Sequence, residues 1–219
     1  MITLLCIGAS VNAQTKDFTL FGSYNYGFGN LTGTVSSELR YPESTETNKL
    51  RAGIVNQFEI GAYYHSLGLG VIHNEYAVDA STAFENADIN GDMLLENGIL
   101  SDNLRLKFTG LEILYKIPFF NKFYVNWKYA VGLQSYSIDK RTQFLGTTPS
   151  DNKQTITGSI YTSLFGVEIN YNIWKMINLG IETSLIPGSY KNLKSQDSDY
   201  IYNDNVSRLS TVLKLTVNI

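Results

Sequence analysis

The chain is short of cysteine, histidine, proline and long apolar runs, and each shortage excludes something. Its one cysteine is Cys6, inside a stretch that reads as a leader, so the mature chain carries no disulfide framework and no thiol chemistry. Its two histidines, His65 and His73, lie apart. That is too few for a clustered metal site, and a nucleophilic hydrolase needs a histidine base beside its hydroxyl. No apolar run approaches the roughly 18 residues of a membrane-spanning helix. The net charge of −3 has no basic cluster behind it, which argues against nucleic acid. Gly27-Phe28-Gly29 is followed by no helix, so it is no phosphate loop.

What is present is aromatic and periodic. There are 15 tyrosines, 11 phenylalanines and 18 glycines against four prolines, a mix that suits strands. About eight stretches alternate apolar and polar residues with period two. The gaps between them alternate short (His65–Gly68, Pro118–Lys122, Asn172–Lys175) and long (Leu31–Leu50, Ser81–Asp102, Asp139–Gln154, Gly188–Asn205). An even number of strands with short turns at one end and long loops at the other describes an all-β, eight-stranded, antiparallel, up-and-down transmembrane β-barrel. A mean hydropathy of −0.10 fits, because only alternate residues meet lipid.

The strands are expected at about 17–30, 51–64, 67–80, 103–117, 123–138, 156–171, 176–187 and 206–219. Strand five is the clearest. Phe123, Val125, Trp127, Tyr129, Val131 and Leu133 share the outward face, and Tyr124, Asn126, Lys128, Gly132 and Gln134 turn inward. Two strands change parity. Leu67, Leu69 and Val71 give way to Ile72, Tyr76 and Val78, and Leu104, Leu106 and Phe108 give way to Leu111, Ile113 and Tyr115. Bulges at Ile72–Asn74 and Thr109–Gly110 would keep the apolar set outward.

Residues 1–13 read as a signal peptide, with an apolar Ile2–Val11 and a Val11-Asn12-Ala13 cleavage site, leaving 14–219 as the barrel domain. No Lys or Arg precedes the apolar segment, so a start codon further upstream is left open. With even strand number, both termini fall on the short-turn side, the periplasm of an outer membrane. Tyr64, Tyr115, Phe123, Tyr171 and Trp174, with Tyr63 and Tyr124 among their neighbours, form the expected periplasmic girdle. Tyr26, Phe28, Tyr76, Tyr136 and Tyr190 form the outer one.

The inward face carries charges of both signs. Glu59, Glu112, Glu168 and Glu182 stand against Lys128, Arg208 and Lys214, with Arg105 and Lys107 counted on the same face. Eight strands leave a lumen that side chains fill, so these charges read as a paired polar network. A proton or solute path is the sharper alternative. The segment Glu85–Asp92 resembles a calcium loop only faintly, because its glycine is misplaced and Ile99 stands where a bidentate glutamate is needed.

The text Leu111-Glu112-Ile113-Leu114-Tyr115-Lys116-Ile117-Pro118, a short turn, then Phe123-Tyr124-Val125-Asn126-Trp127-Lys128-Tyr129-Ala130-Val131-Gly132-Leu133 resembles the outer-membrane β-barrel domain of Bacteroidetes called PorT-like. Pro118 falls later than in that family, and the last residue, Ile219, is not aromatic. The resemblance implies the barrel fold and a link to protein secretion, and it assigns no functional residue.

These observations lead to a small outer-membrane barrel with a structural or surface-binding role and no enzymatic activity. It needs no cofactor. Its partners are outer-membrane lipid, the barrel-assembly machinery and an unidentified extracellular ligand or envelope protein. The long loops would be the working surface. Three rivals stand beside this reading. They are a narrow pore, a lipid A-modifying enzyme using His73, and a soluble calyx with its apolar faces turned inward.

Overall fold

The computed structural model describes residues 18–32, 52–87, 95–120, 122–145 and 150–195, together with 201–219. The expected signal peptide therefore lies outside the described residues. Ten strands form one antiparallel sheet: β1 (Phe18–Leu31), β2 (Ala52–Tyr64), β3 (Leu67–Ala87), β4 (Glu96–Phe120), β5 (Phe123–Phe144), β6 (Ser150–Trp174), β7 (Ile177–Ile186), β8 (Ser189–Ser195), β9 (Ile201–Asn205) and β10 (Arg208–Asn218). Neighbours in sequence pair from β1 to β7, β7 pairs with β10, and β10 returns to β1 from Phe21↔Asn218 to Leu31↔Arg208. Eight strands thus close a ring.

β8 and β9 prolong β7 and β10 beyond a break at Pro187-Gly188 and Val206-Ser207. Proline cannot donate to a ladder, and the pairing of β6 with β7 stops at Phe165↔Leu185. It resumes with β8 only at Ile156 and Thr157. The Val206 N–H donates to the Gly188 carbonyl at 2.7 Å, holding the two breaks together.

The expected bulges in β3 and β4 are absent. The β3–β4 register runs without a shift from Leu67↔Tyr115 to Phe84↔Gly98. The parity change is instead a change in what lies inside. Ile72, Tyr76, Leu104, Leu106 and Phe108 are all fully buried, while Val71 and Leu111 stay exposed. Arg105 and Lys107 consequently point outward, not into the lumen, where they pair with Asp79 at 3.0 Å and Glu75 at 2.9 Å. Gly110 has a different role from a bulge. It stands opposite Gly132, and a Cβ on Gly132 would collide with the Thr109 carbonyl oxygen and with the Gly110 Cα. The two backbones approach too closely for side chains.

Real irregularities sit farther along. Register shifts fall between Phe84 and Ala87 and between Tyr190 and Leu193. Each contains an asparagine with positive φ, Asn86 at 51° and Asn192 at 68°, a conformation asparagine tolerates better than most residues.

Three of the expected long loops are mostly strand. β3 and β4 stay paired out to Ala87↔Glu96, and β5 and β6 out to Phe144↔Ser150. The described parts of the polar segments 82–101 and 142–153 therefore build wall. So does much of 191–204, through β8 and β9. Inside this extended wall an apolar core runs through Val55, Tyr76, Val78, Leu104, Leu106, Tyr136, Ile138, Ile156, Tyr190 and Val212. Phe84, Leu100 and Phe144 pack beyond it.

Candidate functional site

The inward face of the turn-side half is polar, because period-two strands with an apolar outer belt leave their polar residues inside. Lys128 on β5 is its centre. The Nζ lies 2.5 Å from Glu59, 2.6 Å from Glu168 and 2.7 Å from Glu182, on β2, β6 and β7. Lys214 on β10 donates to Glu59 Oε2 at 2.5 Å and to Glu168 Oε1 at 2.7 Å. Glu168 and Glu182 are a direct cross-strand pair, an arrangement that repels unless a cation bridges it, and Lys128 is that bridge. The three glutamates offer carboxylate oxygens within 4.8 Å of one another, a spacing that suits a metal ion, but the Lys128 ammonium occupies that place.

Amides complete the cluster. Asn25 donates to Glu59 at 2.9 Å, and Gln57 donates to Glu59 at 2.6 Å and Glu182 at 2.8 Å. Asn126 and Asn170 donate to Glu168 at 2.9 and 3.2 Å. Period-two alternation puts all four amides inward. Their role as donors to the carboxylates is a packing result that sequence does not carry.

Two of the seven candidate interior residues stand apart from this cluster. Glu112 is buried, and its nearest cation, Lys128, is 3.9 Å away. Arg208 is fully buried one layer toward the loops and makes no ion pair among the described residues. It donates to Asn74, and its guanidinium lies 5.4 Å from the Tyr76 ring.

Tyr64, Tyr115, Phe123, Tyr171 and Trp174 all lie exposed on the outer wall near the turns. Phe123 and Tyr171 touch, with ring centroids 4.8 Å apart. Other aromatics depart from the expected girdles. Tyr124 is buried, and Tyr63 turns inward to accept a hydrogen bond from Asn126 at 2.9 Å. Tyr76, Tyr136 and Tyr190 form part of the upper core, leaving Tyr26 and Phe28 exposed.

His73 lies on the outer wall, just past the last exposed large apolar residue of β3, Val71. Its Nδ1 is 2.8 Å from Thr109 Oγ1 and its Nε2 is 3.4 Å from Glu75 Oε1. Hydroxyl, imidazole and carboxylate thus follow one another in the order of a nucleophilic triad. Thr109 is also the direct cross-strand partner of His73, and Glu75 lies two residues along β3 on the same face, where ladder pairing occupies the nearby backbone N–H groups. Of the segment Glu85–Asp92, the first three residues belong to β3 and the rest lie outside the described residues.

No family model matches the chain, and no curated protein matches it. The PorT-like resemblance therefore gains nothing beyond its fold. A major outer membrane protein from Thermus thermophilus is similar in structure, with a TM-score of 0.58 at 13% identity over 92% of this chain and 99% of that one. Neisserial surface protein A aligns over 91% of this chain and 96% of its own, at 11% identity and a TM-score of 0.44. The outer membrane protease OmpT from Escherichia coli aligns over 94% and 97%, at 8% identity and a TM-score of 0.45. The expectation that the chain is not an enzyme does not stand, because a protease is among the barrels it aligns with. The chain has the fold of an outer-membrane β-barrel.

Proposed function

We propose that the chain is an outer-membrane barrel with a plugged lumen, whose projecting wall and loop tips bind a partner outside the cell. The observation that carries this reading is the reversal of polarity along β3–β6. On the turn side the wall is apolar outside and charged inside, as lipid demands. Beyond Val71 and Leu111 it is ion-paired outside and mostly apolar inside, as water demands. In β4 the stretch from Glu96 to Thr109 lies past the belt, about 45 Å of strand at ~3.3 Å per residue. A rigid, water-facing extension of that length suits presentation of a binding surface. Both termini then lie on the periplasmic side, outer-membrane lipid covers the belt, the exposed aromatics near the turns sit at headgroup level, and the barrel-assembly machinery is the folding partner. The Lys128–Lys214 cluster argues against a passive pore, because its side chains fill the section they share.

The test is complementation of a deletion strain's envelope phenotype. Replacing 88–94 and 146–149 with short Gly/Ser turns should abolish rescue while leaving a heat-modifiable barrel. Glu112→Gln should rescue fully. The opposite pattern would point to a path through the lumen.

A second reading rests on His73, Thr109 and Glu75 at the edge of the belt. There the triad order suits hydrolysis of an ester in a lipid at the membrane boundary, with Thr109 as nucleophile and His73 as base. Hydrolysis of a long-chain nitrophenyl ester by the barrel in vesicles, lost in both Thr109→Val and His73→Asn, would establish it. Equal rates in the wild type and both variants would dismiss it.

A further inference from the structure

The turn end of the barrel holds a cavity of about 540 Å³. Three lysines from different parts of the chain line it. Lys116 belongs to the end of β4, Lys122 to the turn before β5, and Lys175 to the turn before β7. Lys116 stands opposite the inward-facing Asn126, so its side chain turns into the mouth. Its ammonium lies 4.1 Å over the Tyr124 ring and 5.7 Å from that of Tyr63. Lys122 lies 5.9 Å from the Tyr171 ring. None of the three makes an ion pair among the described residues, and no carboxylate lines the cavity.

The contrast with the lumen above is chemical. There, Lys128 and Lys214 each sit among glutamates. At the mouth, three cations line one cavity that no side-chain carboxylate lines, and like charges repel. The rest of the polar lining includes the Thr19 hydroxyl and the Asn172 and Asn218 amides, groups that can donate to an anion. Ile173 and Trp174 add an apolar flank.

We propose that this mouth is an anion site for a phosphate-bearing ligand. A phosphate is multiply charged and tetrahedral, so it accepts from several ammonium groups at once, and lysine binds it as a point charge. The cavity is several times larger than an inorganic phosphate ion, and its apolar flank gives an attached organic group a place to lie. A phospholipid headgroup and a soluble organic phosphate share this chemistry. None of the lumen's glutamates is among the residues that line the cavity.

The test uses the full mature chain in nanodiscs of zwitterionic lipid, titrated with inorganic pyrophosphate by calorimetry. A parallel sample, purified from phosphatidylglycerol-containing bilayers, is read for retained lipid by native mass spectrometry. Lys122→Gln/Lys175→Gln is the key variant because both positions are turns, and it stays informative even where Lys116→Gln fails to fold. Pyrophosphate binding that weakens about tenfold for each lysine removed supports a soluble phosphate. Retained phosphatidylglycerol that is lost in the variant, with no pyrophosphate binding, supports a headgroup. Absence of both, or binding that the lysine substitutions leave unchanged, overturns the proposal.

Discussion

The two halves of this barrel follow one period-two pattern and read it in opposite directions. On the turn side of Ile72 and Gly110, Leu69, Val71, Leu111, Ile113 and Val131 face outward while Glu59, Glu168 and Lys128 face inward. On the loop side, Leu104, Leu106, Tyr136 and Ile138 are buried while Glu75, Lys107, Asp79 and Arg105 pair on the outer surface. The backbone register is continuous between them. What changes is the outside medium that each half's side chains suit. A strand can therefore pass from a lipid-suited wall to a water-suited one without a bulge, by exchanging which parity carries its apolar residues.

That contrast can be broken most severely at its turn-side centre. Lys128→Met strands the buried Glu182 carboxylate and leaves Glu59 and Glu168 to Lys214 alone, and removal of one partner from a buried ion cluster costs about 3–5 kcal/mol. Urea unfolding from lipid vesicles should show the loss, and an unchanged midpoint would mean that the lumen is hydrated. In the loop-side half the matching change is apolar. Leu106 is fully buried, and Leu106→Ala should cost about 2–5 kcal/mol through the cavity it leaves. The exact figure reports how far the upper core can collapse.

Outward substitutions sharpen the boundary. Val131→Arg and Leu213→Arg put a cation on the belt, at about 2–4 kcal/mol near a bilayer midplane. Ser137→Arg, two turns of the pleat beyond Leu133, should leave stability and insertion rate nearly unchanged. Equal losses at both levels would erase the distinction. The smallest effect belongs to Arg141 and Asp151, an exposed pair at 2.8 Å beyond the belt. Arg141 holds the Asp151 carboxyl below its usual range. Any stabilisation is therefore present above the unfolded carboxyl's pKa and lost as pH falls through the lowered folded value. Arg141→Ala should remove only that acid-side dependence, and added salt should mask it.

The turn-side half was legible because lipid outside and charge inside separate cleanly in β5 and β10. The ring of eight strands followed from that alternation and from the spacing of short turns. The loop-side half was not legible for a physical reason. In β3 and β4, polar residues such as Ser81, Ser101 and Asn103 face water from a strand, and in composition they look like loop. Only the sparse inward set of Phe84, Leu100 and Phe144 betrays the wall. Ile72 and Phe108 imply bulges only if an apolar residue seeks lipid at every height, and here they line the lumen instead. Asn25, Gln57, Asn126 and Asn170 were legible as inward, yet their donation to Glu59, Glu168 and Glu182 depends on distances across the lumen that no single strand encodes.

The most direct test is a single-cysteine scan along β5 in lipid vesicles, read by a water-soluble maleimide. Cys6 is the chain's only cysteine, and Cys6→Ser leaves a clean background. Cysteines at Phe123, Trp127, Val131 and Leu133 should be shielded. Those at Ser135, Ser137, Asp139 and Arg141 should label freely, while Tyr136 and Ile138 stay shielded between them. Shielding at the outward positions 135–141, or labelling at both parities there, would contradict a water-facing wall built on an apolar core.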